Sequence, residues 1–293
     1  MAVKVLLDTD IGTDIDDAIC LAYLLANSEC ELMGITTVTG EAEKRAMLAS
    51  ALCRIAGKDI PIFPGCETPL LIPQKQKLAL QAKALKNWEH DKSFPKGEAI
   101  GFLRKTVRDN PGEIILLTIG PLTNIGILFS IDPELPSLLK GLVLMCGYFE
   151  RRYRSIGPLE WNARGDYHAT DIVFRSRPPF IRSVGLDVTS RVKMKPDEFR
   201  RTFTSEILRP VLDYSDYWFK KFKKVTFHDP LAAATIFDEK ICIFRKGKIK
   251  IELDKKGHRG LTDWKESKRK GFHEVALKVD KERFFEHYLS MFR

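Results

Sequence analysis

Near the start of the chain, Asp8-Thr9-Asp10-Ile11-Gly12-Thr13-Asp14-Ile15-Asp16-Asp17-Ala18 places five carboxylates within ten residues, directly after the apolar run 3–7. Asp16 and Asp17 are placed to cap a following helix, where an acid gains about 0.3–1 kcal/mol from the helix dipole. Two carboxylates about 4 Å apart repel by about 4 kcal/mol at an effective dielectric near 20. Converging several of them therefore costs more than capping returns, unless a cation reverses the sign. An all-oxygen donor set selects a hard ion, calcium or magnesium, over zinc.

Spacing tests two other acidic motifs. A helix-loop-helix calcium loop beginning at Asp8 needs Gly at its sixth position and Glu at its twelfth; these are Thr13 and Ile19, and that reading fails. A magnesium-dependent phosphatase of the haloacid-dehalogenase type resembles Asp8-Thr9-Asp10, but its next Thr falls one residue late, at Thr13. It stands as a runner-up in which Asp8 is the nucleophile.

The elements that must carry this loop follow from periodicity. Apolar runs at 3–7, 31–38, 60–63, 114–119, 141–145 and 180–184 predict buried strands. Helical spacing at 16–26, 41–56, 98–109 and 122–129 predicts helices between them, the second ending at Gly57. The alternation defines an α/β fold: a Rossmann-like open, mainly parallel (mixed) sheet with helices on both faces and a more helical C-terminal part. Such sheets bind ligands beyond the carboxyl ends of their strands, where the acidic loop lies. Segment 64–95 is less regular, with a short helix expected over 76–86, and is placed to cover the site as a flap. Beyond 194 the chain turns helical to about 221, then forms antiparallel strands within 241–279, with turns expected at Lys246-Gly247 and Lys256-Gly257, and a closing helix at 281–292. No linker divides the chain, so residues 1–293 are expected to be a single domain.

The net charge of +9 is spread over many segments, with clusters at 151–154, 220–224 and 265–270. Such clusters read as solvated faces, and no nucleic-acid partner is expected. No apolar run reaches membrane-spanning length, and the N-terminus reads as a strand rather than a signal peptide. Six scattered cysteines without a C-x-x-C pair are expected to be reduced core residues of a cytoplasmic protein.

The acidic loop resembles the signature of the inosine–uridine-preferring nucleoside hydrolase family, in a form with two residues inserted before the Asp pair. Further blocks match in order: Gly34-Ile35-Thr36-Thr37-Val38, Pro61-Ile62-Phe63-Pro64-Gly65, Ile119-Gly120-Pro121-Leu122-Thr123-Asn124-Ile125, Glu160-Trp161-Asn162 with Asp166, His228-Asp229-Pro230-Leu231-Ala232, and Arg259-Gly260-Leu261-Thr262. The resemblance implies hydrolysis of the N-glycosidic bond of ribonucleosides by a calcium-dependent enzyme. It implies Ca2+ ligation by Asp10, Asp17, Asp229 and the carbonyl of Ile119, with Asp10 as general base. Asp16 and Asn162 would grip the ribose hydroxyls and Glu160 the 5′-hydroxyl. His228 would give the proton to the departing base, for which an ordinary imidazole pKa is suited. Asp8 is expected to support its neighbours, and Asp14 receives no role. The resemblance also implies a homodimer or homotetramer.

The sequence departs from the family pattern around the substrate. Glu41 stands where the best-known members carry an Asn that helps hold the sugar; Arg154 falls in place of a Gly-Asn turn; and no His-Gly loop follows Pro69-Leu70, His90 being the nearest imidazole. Glu41 and Arg154 are therefore possible site residues, and the basic stretch 151–154 is a candidate contact for a 5′-phosphate. The altered contacts also leave a non-catalytic nucleoside-binding or regulatory module as a rival reading.

Overall fold

The computed structural model describes residues 2–152, 155–267 and 272–293. Nine strands form one sheet: β1 (Val3–Thr9), β2 (Cys30–Thr37), β3 (Ile62–Pro64), β4 (Ile114–Thr118), β5 (Gly141–Leu144), β6 (Ile181–Ser183), β9 (Cys242–Ile251), β10 (Thr262–Glu266) and β11 (His273–Val279). Strands β7 (Lys193–Met194) and β8 (Val225–Thr226) pair separately. The order is β10-β9-β11-β6-β5-β4-β1-β2-β3. β1 to β6 run parallel, β11 runs parallel to β6, and β9 and β10 are antiparallel additions at the far edge.

From β1 the chain winds outward through β2 and β3, then returns to place β4, β5 and β6 on the other side of β1. The order thus reverses between β1 and β4. Helices cannot cover the carboxyl ends of these two strands from one side, so a crevice opens there. Each sheet face buries its own apolar cluster. One holds Ile19, Leu48, Val211, Leu231 and Phe284, from helices Asp16–Ala26, Ala42–Ile55, Arg209–Phe219, His228–Phe237 and Lys281–Ser290. The other holds Leu103, Ile125 and Val173, from helices Ala99–Asp109, Thr123–Ile131 and Tyr167–Arg175. The parallel strands lie between these layers, which is why their sequences are apolar without alternation.

The six expected parallel strands and four expected helices are present with ends shifted by a few residues. Within 76–86 the helix is of the 3-10 type, over Leu80–Asn87. The turn expected at Lys246-Gly247 is absent: β9 runs straight through it and reverses only after Ile251. Gly247 is there because a Cβ would meet the Trp264 Nε1 at 2.3 Å across the β9–β10 ladder. Among the described residues, no helix is long and apolar enough to cross a membrane.

Candidate active site

Three carboxylates converge at the switch point. One oxygen each from Asp16, Asp17 and Asp229 lies within 4.8 Å of the others, and all three side chains are buried. Two helix N-termini bring them together. Asp16 and Asp17 open helix Asp16–Ala26, Asp229 lies in the first turn of helix His228–Phe237, and the two helices pack side by side. The backbone N–H of Asp229 points at Asp16 Oδ2 at 3.4 Å, while the Thr9 hydroxyl donates to Asp17 Oδ1 at 2.5 Å. Dipoles directed at one spot lower the cost of gathering anions, but burial and mutual repulsion still drive the Asp16, Asp17 and Asp229 pKa values well above the carboxylate range. The carboxyl of Asp10 is likewise raised, chiefly by burial, with Arg45 opposing the shift. Unrelieved buried charge with oxygen donors only is the setting a hard divalent cation fits, so the residues present suit such an ion.

Asp10 follows β1, and one of its oxygens, Oδ2, accepts from Gln76 Nε2 at 2.6 Å. Its other oxygen rests over the turn after β4, where a Cβ on Gly120 would approach Oδ1 to 2.9 Å; glycine is therefore needed there. The neighbouring carbonyl of Ile119 accepts from Asn162 Nδ2 at 2.9 Å and keeps a second lone pair. Asn162 Nδ2 also donates to the Met145 carbonyl at 3.0 Å, which commits both amide hydrogens and leaves Oδ1 for a ligand.

Glu160 caps helix Trp161–Gly165. Its Oε1 accepts from Asn162 N–H at 2.7 Å, and its Oε2 from Ala163 and Gly147 N–H at 2.8 and 3.0 Å. Burial raises its pKa, and these backbone donors counter the shift. The cap aims Asn162 at the β4 and β5 strand ends. His228 Nδ1 lies 2.7 Å from the Thr189 hydroxyl. The ordinary imidazole pKa expected for His228 is not realised: burial, helped by Lys193, lowers it to about 4.

Asp10, Asp16, Asp17, Ile119, Glu160, Asn162, His228 and Asp229 thus share one cavity of about 520 Å³. Asp14 also lines it and accepts from Ile15 N–H at 2.6 Å, with its carboxyl pushed up to about 7 by burial. Two possible contacts stand differently. The Glu41 carboxylate turns to Lys44 at 2.5 Å and to the Ala79 N–H at 2.8 Å, away from the cavity, and Arg154 lies outside the described residues. Within the basic stretch, Arg151 pairs with Asp263 at 2.9 Å and Arg152 with Glu150 at 2.5 Å, so their charges are already compensated. His90 hydrogen-bonds the Trp88 carbonyl at 2.7 Å and does not line the cavity.

Several residues of the site carried no sequence signal. Arg45 is fully buried beneath the acidic loop, donating to the Ile11 carbonyl at 3.0 Å, to the Asp10 carbonyl, and to the Gly40 carbonyl at 2.9 Å. It places a fixed positive charge under the carboxylates. Its one visible mark is an arginine among apolar and small residues on the helix that contains Ala42, Ala46 and Ala49. Within the expected flap, 64–95, residues 76–80 cover the acidic loop: Thr13 Oγ1 donates to the Leu78 carbonyl at 3.3 Å, and Gln76 and Leu80 line the cavity. The outer wall is aromatic, with Trp161, Tyr217, Trp218 and Phe222, the last two stacked at 3.9 Å between centroids.

An open α/β sheet with a buried oxygen-donor cluster at its switch point, roofed by aromatic rings, is the class of protein these elements define. The family model of the inosine-uridine preferring nucleoside hydrolases matches residues 5–286. An inosine-uridine preferring nucleoside hydrolase of Crithidia fasciculata is 29% identical, covering 97% of this chain and 96% of that protein. Uridine nucleosidase 1 of Arabidopsis thaliana is also 29% identical, over 85% of this chain and 78% of that one. Among solved structures, a plant nucleoside hydrolase superposes with a TM-score of 0.86 at 23% identity, covering 100% and 99% of the two chains. A purine-preferring ribonucleoside hydrolase from Gardnerella vaginalis gives 0.85 at 23% identity, covering 99% and 98%. The chain belongs to the inosine-uridine preferring nucleoside hydrolase family. It is an N-glycosyl hydrolase acting on ribonucleosides, and the phosphatase alternative falls. Its required nucleophile, Asp8, is fully buried off the cavity, accepting from Thr36 Oγ1 at 2.5 Å and Asn124 Nδ2 at 2.7 Å.

Proposed function

We propose that this chain hydrolyses ribonucleosides to ribose and free base with calcium as its cofactor, and that residues 1–293 act as a single hydrolase domain. The observation that carries the reading is the convergence of Asp16, Asp17 and Asp229 in an aromatic-walled cavity that Asp10 and Ile119 also line. Asp10, Asp17, Asp229 and Ile119 would hold the ion. What calcium supplies when bound is positive charge that offsets the carboxylates, acidifies water and anchors the sugar's vicinal hydroxyls.

Asp10 takes the proton of the attacking water as general base, its second oxygen being held by Gln76. Asp16 and the free Oδ1 of Asn162 hold ribose hydroxyls, and Glu160 Oε1 retains a lone pair for the 5′-hydroxyl. The carboxylates stabilise the positive charge that grows on the sugar as the bond to the base breaks. With its pKa lowered to about 4 by burial, His228 is neutral. The Thr189 hydroxyl serves its Nδ1, leaving Nε2–H to hydrogen-bond the base; negative charge growing on the departing base raises the proton affinity of the imidazole, which takes up a proton from solvent and passes one to the base, ending neutral as it began. The aromatic wall offers π-faces to the base.

The test is ribose release from inosine, uridine, adenosine, cytidine and their 5′-monophosphates, before and after chelation and after calcium is restored. Release that stops with chelator and returns with calcium supports the reading. Release indifferent to both chelator and calcium removes the ion from the reading. A homodimer or homotetramer belongs to the same reading, as does a reducing cytoplasm, which six free thiols, five of them buried, suit. Light scattering decides the assembly.

A further inference from the structure

Gln76 reaches the cavity from the irregular segment between β3 and the 3-10 helix, and its amide lies between two site residues. Trp161 Nε1 lies 2.6 Å from Gln76 Oε1, while Gln76 Nε2 lies 2.6 Å from Asp10 Oδ2 and 3.0 Å from Thr13 Oγ1. Chemistry fixes which way the amide faces. An indole nitrogen only donates and an ionised carboxylate only accepts, so the carbonyl must face Trp161 and the NH2 must face Asp10. Turned over, N–H would oppose N–H and carbonyl oxygen would oppose carboxylate. In the observed orientation both amide hydrogens and the oxygen are used, and the group is 9% exposed.

The segment carrying this amide is itself clamped. The Ala79 N–H donates to the Glu41 carboxylate at 2.8 Å, and the Gln76 N–H donates to Gln74 Oε1 at 2.7 Å. On the other side, Asp10 Oδ1 faces the Gly120 turn beside the Ile119 carbonyl. Holding Oδ2 therefore sets the rotation of the whole carboxylate. A neutral donor suits the place, because another acid would add to the repulsion among Asp10, Asp16 and Asp17.

We propose that Gln76 is a positioning residue for the reaction at this site: its amide fixes the Asp10 carboxylate toward the ion and the sugar, and Trp161 fixes the amide. The proposal rests on the function proposed above. Trp161 is 42% exposed and forms part of the cavity wall. A substrate ring packed against the indole immobilises Trp161, and through it Gln76 and Asp10, so that occupancy of the cavity and orientation of the base are linked through two hydrogen bonds. Glu41, although turned away, contributes by holding the segment in place.

Gln76→Leu keeps the bulk and deletes the amide, and Trp161→Phe keeps a ring and deletes the N–H. Three measurements are made on each variant and on the double variant: calcium affinity of the metal-free protein by calorimetry, kcat and KM for a nucleoside, and melting temperature. Outer hydrogen-bond partners of metal ligands typically change affinity or activity by about 10–100-fold. Gln76→Leu is expected to lower calcium affinity and kcat by about tenfold or more, with KM within about twofold. Trp161→Phe gives the same pattern with a smaller loss, and the double variant is no worse than Gln76→Leu, because the indole N–H acts only through the amide. Gln76→Leu within twofold of wild type in both affinity and kcat overturns the proposal, as do losses that multiply in the double variant. Should Gln76→Leu melt too low to be measured, Trp161→Phe decides alone by the same split. A wild type that releases no ribose from any nucleoside removes the hydrolase reading, while the affinity measurements still judge the role of Gln76.

Discussion

At the scale of single residues, the site is a set of buried groups whose partners dictate what each can do. Asp10 has one oxygen committed to Gln76 and the other at the Gly120 turn, so under the proposed function Asp10→Asn removes both the base and an ion ligand. A general base contributes about 10²–10⁴-fold, and kcat for nucleosides is expected to fall by at least that much, with weaker calcium binding by calorimetry. His228 is argued to act only on the departing base. His228→Gln should therefore slow inosine hydrolysis by about 10²-fold or more, yet change hydrolysis of a nitrophenyl riboside several-fold at most, because that phenolate leaves without a proton. Equal losses on both substrates would assign His228 to positioning instead of proton delivery.

At the scale of elements, histidine also shows how the sheet is locked at its antiparallel edge. His273 on β11 is 1% exposed; its Nδ1 accepts from the Ile249 N–H of β9 at 2.8 Å and its Nε2–H donates to the Phe174 carbonyl of helix Tyr167–Arg175 at 2.9 Å. The contact to Nδ1 requires the neutral ring, and burial holds the pKa down at about 4, with the Phe174 carbonyl opposing and Lys248 assisting. An unfolded chain binds this proton near pH 6.5, so between about pH 6.5 and pH 4 the unfolded state carries more protons than the native one. Stability from this group is complete above pH 6.5 and is lost as pH falls toward 4, by at most about 3 kcal/mol. His273→Gln should melt lower at pH 7 and show a flatter decline from pH 7 to 4.5 in thermal melts. His228, lowered for the same reason, leaves a residual slope. An unchanged slope would mean that His273 is protonated in the fold.

At the scale of the whole molecule, a basic chain of net charge +9 folds around an acidic centre. Arg45 and two helix N-termini offset part of that centre, and under the proposed function a divalent ion offsets the rest. Binding to the native state alone stabilises it by about 2.7 kcal/mol at a ligand concentration 100 times Kd. For a chain of this size each kcal/mol moves the melting temperature by roughly 2–4 °C. Calcium should therefore raise the melting temperature of the chelator-treated protein by about 5–10 °C, reversibly. Asp229→Asn should lose most of that rise while melting no lower than wild type in chelator, since it relieves repulsion in the metal-free cluster. A wild type whose melting point ignores both calcium and magnesium would contradict the ion site.

The sequence by itself determined the parallel strands, the helices between them and the acidic loop, because each depends on local periodicity: buried strands need unbroken apolar runs, and a helix start tolerates clustered acids. It also marked Asp229 and Asn162 as expected site residues, through blocks that resemble those of the family. Tertiary structure alone decided what surrounds them. Arg45 meets the backbone of the acidic loop, Gln76 the Asp10 carboxylate and Trp161 the Gln76 amide across tens of residues of chain, and no spacing rule links an arginine on one helix, an amide on an irregular segment and an indole after β5. Gly247 was misleading for the same reason, since a glycine demanded by the face of Trp264 looks, in one dimension, like a glycine demanded by a turn. The imidazole of His228 has an ordinary pKa as a residue type, and only its burial behind the carboxylates made it neutral. Desolvation and long-range contact are properties of the packed chain, and they decide the state in which each residue works.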